Sequence, residues 1–173
     1  MDWNINQEDL FLKMVKDSYL AKSKKIIIAG AFCSGKTTLG KLLSNKLNIK
    51  FYDLDECFNA APNEDFRYAE TNALGKFIRA QKKSYILALG GGTLLDKRNI
   101  EMVKSSSVDY VLFLSPPFQK IIDNLNMENN LEKRKFLPQA PMDLDNINEL
   151  FKKYELRNSA KEHFKYFKKA RIV

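Results

Sequence analysis

Gly30-Ala31-Phe32-Cys33-Ser34-Gly35-Lys36-Thr37-Thr38 fits the pattern G-x-x-x-x-G-K-[ST] in full. Just ahead of it, Ile26-Ile27-Ile28-Ala29 is a short, β-branched apolar run that reads as a buried strand. Just behind it, Leu39, Leu42, Leu43 and Leu47 recur at helical spacing. A strand, a glycine loop and a helix in that order are the setting in which the pattern binds phosphate. Successive backbone N–H groups and a helix N-terminus together form a pocket for phosphate oxygens. Gly30, Cys33, Ser34, Gly35 and Thr38 belong to that cradle, Lys36 is placed to reach the β- and γ-phosphates, and the Thr37 hydroxyl to hold Mg²⁺. A glycine turn that binds nothing is the alternative, and the intact strand–loop–helix context argues against it. The stretch implies a nucleoside triphosphate site in an α/β domain.

The rest of the chain is consistent with that class. Its 173 residues suffice for one domain, 1–173, with a single layered core. No apolar run approaches the length of a membrane span. The N-terminus, Met1-Asp2-Trp3-Asn4, brings an acid before any apolar stretch, so neither a signal peptide nor membrane attachment is expected. Cys33 and Cys57 lack metal-ligand spacing and read as reduced thiols of a cytoplasmic protein. Much of the net charge of +8 lies on lysine-rich helix surface, notably Lys152-Lys153 and Lys161 through Lys169. With no nucleic-acid module and no interleaved stacking platforms, that charge suits a polyanionic nucleotide and an acidic substrate better than nucleic acid. A monomer is expected.

Along the chain, Leu10, Phe11, Met14, Val15 and Tyr19 form a helical stripe, so residues 1–24 read as an added N-terminal helix. Phe51-Tyr52-Asp53 is a second short strand. Asp65 caps a helix that turns Phe66, Ala69, Ala73, Leu74, Phe77 and Ile78 inward. Ser84 to Leu89 is a third strand running into Gly90-Gly91-Gly92, and Asp96 caps a helix through Ile100 and Val103. Val108 to Leu114 is a fourth strand, followed by a helix from Phe118 to about Leu125. The polar, proline-interrupted stretch 126–145 reads as a mobile loop or lid. A long basic helix from about Asn146 and a last strand, Ala170-Arg171-Ile172-Val173, complete the pattern.

Ligands of open α/β sheets bind at the carboxyl ends of the strands. Here the phosphate loop, Asp53-Leu54-Asp55 and the glycine triplet stand at those ends. On extended chain, Asp53 and Asp55 point the same way and address one metal-and-substrate site. One carboxylate can orient water on Mg²⁺, while the other aligns or deprotonates an attacking hydroxyl. The glycine triplet lets backbone N–H groups approach a ligand closely.

Together these motifs resemble the shikimate kinases, a branch of the nucleoside monophosphate kinase-like P-loop fold. The resemblance runs from about Lys25 to Val173. It rests on the phosphate loop, Asp53-Leu54-Asp55, Phe66-Arg67 with Glu70 three residues on, Leu89-Gly90-Gly91-Gly92, Arg134 and Arg157. It implies a three-layer sandwich with a five-stranded parallel sheet of order 2-3-1-4-5, a substrate-binding segment over 54–82 and a lid over 126–145. By position, it implies Thr37 and Asp53 on Mg²⁺ and Lys36 on the phosphates of ATP. Asp55 would act on the substrate hydroxyl, and Arg67 and Arg157 would clamp its carboxylate. Gly90, Gly91 and Gly92 would meet its ring hydroxyls, with Arg134 over the phosphates. Guanidinium forks suit a carboxylate, and phosphoryl transfer needs positioning and cations.

The chain departs from that family in places. Eleven residues separate Asp55 from Arg67, a shorter connection than usual, and Cys33 replaces the usual glycine. Lys135 stands in place of a proline and Lys161 in place of a tyrosine, and the arginine that packs on adenine has no clear counterpart near Met127. The leading expectation is ATP-dependent phosphorylation of a ring hydroxyl of shikimate. The alternatives are a related P-loop kinase acting on another small hydroxylated or acidic metabolite, and a nucleotide-binding switch or degenerate kinase.

Overall fold

The β-branched run before the glycine loop is the central strand of the sheet: β1 spans Lys25–Gly30, and Ile26, Ile27 and Ile28 are fully buried. The computed structural model of the chain describes residues 25–58, 65–126, 149, 152, 165–167 and 170–172. Helix α1 (Lys36–Leu47) follows the glycine loop, and β2 (Phe51–Asp53) follows α1. A single 3₁₀ turn over Leu54–Glu56 ends β2. Then come α2 (Phe66–Ala80), β3 (Tyr85–Ala88), a second 3₁₀ turn over Thr93–Leu95 and α3 (Lys97–Ser105). Strand β4 (Tyr110–Leu114), α4 (Phe118–Asn126) and β5 (Ala170–Ile172) complete the described elements. The expected elements within the described residues are therefore present, most within two residues of their sequence-based limits.

The sheet is parallel with order β2-β3-β1-β4-β5, as expected. Strands buried on both faces read as continuous apolar runs, and their side chains still alternate between two cores. Ile27 and Ala29 of β1, Leu87 of β3, and Val111 and Phe113 of β4 join Leu74 and Phe77 of α2 and Ile100 and Val103 of α3 on one face. Ile26 and Ile28 of β1, Ile86 of β3, and Leu112 and Leu114 of β4 meet Leu39 and Leu43 of α1 on the other. Helices on both faces of one sheet make three layers, which hold the strand ends, and the loops leaving them, at one edge.

Two expectations are corrected here. Phe66 does not turn inward: it is 47% exposed and packs beside Phe58, because it is the first residue of α2 and lies beyond the sheet. Glu70, one turn on, is fully buried in its stead. Nor does extended chain run through Asp55, since the 3₁₀ turn begins at Leu54. The expected N-terminal helix over 1–24, most of the lid over 126–145, Arg134, Arg157 and Lys161 lie outside the described residues. Of the expected basic helix, Glu149 and Lys152 are described, and both are helical.

Candidate active site

The loop between β1 and α1 is shaped by backbone conformations that side chains resist. Gly30 has φ 144° and Gly35 φ 93°, values that glycine adopts without steric cost. Gly35 is the N-cap of α1 and supplies no side-chain hydrogen bond to the first N–H groups of α1. Ser34 is buried, and its hydroxyl, close to Gly30, has no hydrogen-bond partner among the described residues. What Ser34 can offer a phosphate is its N–H. Lys36 folds back so that Nζ donates to the carbonyl oxygens of Ala31 at 2.7 Å and Gly30 at 3.1 Å. Its ammonium is thereby held over the loop. This combination of a glycine loop, a helix N-terminus without a side-chain cap and a fixed cation can bind a polyphosphate.

Thr37, in the first turn of α1, donates from Oγ1 to Asp53 Oδ2 at 2.8 Å, joining α1 to the end of β2. Both offer hard oxygens, and a hydrated Mg²⁺ uses one or two such groups plus phosphate oxygens. Among the described residues there is no cluster of three or more His, Cys, Asp or Glu that could cage a metal by itself. The donor set therefore fits Mg²⁺ carried with a nucleotide.

The two aspartates of Asp53-Leu54-Asp55 face different neighbours. Asp53 accepts the Asp55 N–H at Oδ1 (3.2 Å) and so caps the 3₁₀ turn while its other oxygen meets Thr37. The turn swings Asp55 towards the glycine triplet: a Cβ on Gly90 would lie 3.0 Å from Asp55 Oδ1. Extended chain does not continue through Asp55, and the two carboxylates have different neighbours, Thr37 for Asp53 and Gly90 for Asp55. Cys57 closes the turn, its thiol 3.1 Å from the Asp53 carbonyl oxygen. Partial burial first, then the charges of Asp53, Glu56 and Asp55, push that thiol upward, which keeps it protonated at neutral pH.

The glycine triplet is tightly packed, most rigidly at Gly91, where the neighbour is backbone. A Cβ on Gly90 would collide with Glu70 Oε1, one on Gly91 would stand 2.8 Å from the Phe32 N, and one on Gly92 would run into the Arg67 guanidinium. The glycine triplet and the phosphate loop are therefore in direct contact, with Gly91 against Phe32. Arg67 Nη1 is 2.7 Å from Glu70 Oε2, and Thr93 Oγ1 donates to Glu70 Oε1 at 2.5 Å. Asn99 Nδ2 in turn donates to the Thr93 carbonyl at 2.8 Å. Glu70 thus holds the guanidinium of Arg67, whose side chain remains 42% exposed and free to meet a ligand on its open side. The sequence marks Glu70 through the spacing after Arg67, while Thr93 and Asn99 carry no local signal for this role.

The Shikimate kinase family model matches residues 32–171, most of the chain. The chain belongs to the shikimate kinase family. The shikimate kinase of Flavobacterium psychrophilum is 33% identical over 132 residues, covering 69% of this chain and 74% of that one. That of Caldicellulosiruptor saccharolyticus is 29% identical over 118 residues, covering 61% of this chain and 66% of that enzyme, just under two thirds of its length. Among solved structures, the shikimate kinase from Acinetobacter baumannii in complex with shikimate superposes with a TM-score of 0.66 at 21% identity, covering 89% of this chain and 86% of that one. That likeness supports the shikimate kinase fold around the site.

Proposed function

We propose that this chain transfers the γ-phosphoryl group of ATP to a ring hydroxyl of shikimate. The single observation that carries the proposal is that contact. The phosphate loop and the glycine triplet, with Arg67, Glu70 and Asp55 beside it, meet at Phe32 and Gly91, so a nucleotide on the one and an acidic alcohol on the other would lie side by side. Lys36 neutralises charge on the phosphates, and the N–H groups of the loop and of α1 hold their oxygens. Thr37 and Asp53 hold Mg²⁺, which neutralises the phosphates when bound. Asp55 aligns the attacking hydroxyl and accepts its proton. Arg67, held by Glu70, grips the substrate carboxylate, and Gly90, Gly91 and Gly92 bring backbone close to the ring. Arg134 and Arg157, outside the described residues, complete the phosphate and carboxylate clamps in this reading.

The organisation we infer is one kinase domain over 1–173, with a substrate-binding segment over 54–82 and a lid over 126–145. Among the described residues no helix is long and apolar enough to cross a membrane; we place the protein in the cytoplasm as a monomer. The short connection between Asp55 and Arg67 favours a second reading, a kinase for a different small hydroxy acid. A coupled assay of ADP release with ATP, Mg²⁺ and shikimate decides between them. Saturable turnover with shikimate supports the first. Turnover with other hydroxy acids but not shikimate supports the second, and silence with every acceptor, despite tight nucleotide binding, leaves a non-catalytic switch.

A further inference from the structure

The glycine loop contains one side-chain-bearing residue in a backbone conformation that suits glycine. Cys33 has φ 53°, in the left-handed region where Cβ crowds the following carbonyl oxygen. The other described non-glycine residue at positive φ is Asn48, which ends α1 as its C-cap, a common place for asparagine. Cys33 lies at no helix end, so contacts around the loop must hold it there. One such contact is visible: Asn124 Nδ2, in the last turn of α4, donates to the Cys33 carbonyl oxygen at 2.9 Å. Asn124 is 91 residues away in sequence and partly buried, and the bond ties α4 to the loop.

The consequence follows from peptide geometry. No cis peptide is present, and in a planar trans peptide the C=O and the next N–H point in opposite directions. A Cys33 carbonyl fixed towards α4 therefore turns the Ser34 N–H away from α4. We propose that Asn124 is a positioning residue for the nucleotide: by holding the Cys33–Ser34 peptide, it aims the Ser34 N–H at a phosphate oxygen. This rests on the nucleotide-site reading of Gly30 to Thr38. Asn124 acts through the Cys33 carbonyl, and the cost of the left-handed cysteine makes that hold necessary.

The test measures Mg·ADP binding by calorimetry, and KM for ATP and for shikimate, in wild type, Asn124→Ala, Cys33→Gly and the double variant. Loss of one net hydrogen bond corresponds to roughly three- to tenfold in affinity. Asn124→Ala should weaken Mg·ADP and raise the ATP KM by that factor, with the shikimate KM changed less than about twofold. In the Cys33→Gly background the same substitution should cost under about twofold, because glycine visits positive φ freely. A merely structural Asn124 would lower Tm and weaken binding equally in both backgrounds, which overturns the proposal. Unchanged Mg·ADP affinity in Asn124→Ala overturns it too. Should Asn124→Ala fail to fold, Asn124→Leu removes the donor at similar volume without adding charge and is read the same way. A wild type that binds no Mg·ADP removes the nucleotide reading as well, and that outcome is recognisable before any variant is made.

Discussion

Helices α2 and α3 begin with a carboxylate, and helix α1 begins with none. Asp65 accepts the Arg67 N–H and Asp96 accepts the Arg98 N–H, each at 2.8 Å, so both helices satisfy an otherwise orphaned donor from within the chain. At α1 the cap is Gly35, without a side chain, and the first turn of all three helices lacks acids. Among the described α-helices, α2 and α3 thus use an aspartate cap and α1 does not, although Asp53 caps the 3₁₀ turn next to it and accepts from Thr37. An uncapped N-terminus has a partial positive charge that an incoming anion can meet. The difference separates two helices capped by side chains of this chain from one with no side-chain cap, where our proposal places the phosphates. The start of α2 contributes a side chain, Arg67, instead of its backbone.

The most severe way to break this contrast is at α1 itself. Lys36→Ala is expected to lower kcat/KM by roughly 10³–10⁵, the scale of removing a cation from a transferring phosphoryl group. Near-normal turnover in a coupled assay would show that this N-terminus is not the phosphate site. Next in size, Asp55→Asn should reduce kcat by about 10²–10⁴ with Mg·ADP affinity nearly intact, as for loss of an acid–base group. If calorimetry instead shows weakened nucleotide with kcat preserved, Asp55 belongs with Asp53 on the metal side. Arg67→Ala should raise the KM for the acidic substrate by roughly 10–100-fold, matching a charge-assisted hydrogen bond of about 1.5–3 kcal/mol. Arg67→Lys should recover little of it, because the planar fork is lost. An unchanged KM for that substrate would place the carboxylate elsewhere.

The smallest effect sharpens the contrast from the other side. Asp96→Ala makes α3 as bare as α1 and should cost about 1 kcal/mol, lowering Tm by about 2–4 °C, without altering Mg·ADP affinity. A change in that affinity would mean that capping state does not separate the two kinds of helix. Hydrogen bonding to Arg98 holds the Asp96 carboxyl below the ordinary aspartate value. A depressed folded value stabilises above the unfolded one, so this increment is present at neutral pH and lost as pH falls below about 3.8 through the folded value. The group is near the surface, so the increment is small. Denaturant midpoints of wild type and Asp96→Ala should converge over that acidic window.

Local signals made most of this legible. Apolar β-branched runs, aspartate caps and the glycine loop announce their own conformations, and each lies where its pattern places it. The direction of Asp55 was not legible, because spacing by two implies a common face only on extended chain, and a 3₁₀ turn intervenes after Asp53. Phe66 misleads for a related reason: helical periodicity gives its face but not how far the sheet reaches along the helix. The support of Arg67 is half legible. Glu70 lies three residues along the same helix, whereas Thr93 and Asn99 join it only through the fold.

The buried chain from Asn99 through Thr93 to Glu70 also has a consequence for how this half of the molecule opens. It links α3, the turn after the glycine triplet and α2 through groups with almost no surface. Exposing Thr93, the middle member, takes a partner from both Glu70 and Asn99, at the cost of desolvated polar atoms. In hydrogen–deuterium exchange, the protected amides of α2 and of the Thr93–Leu95 turn should therefore lose protection together, as one cooperative unit. Ligands that engage Arg67 would slow exchange as far away as α3.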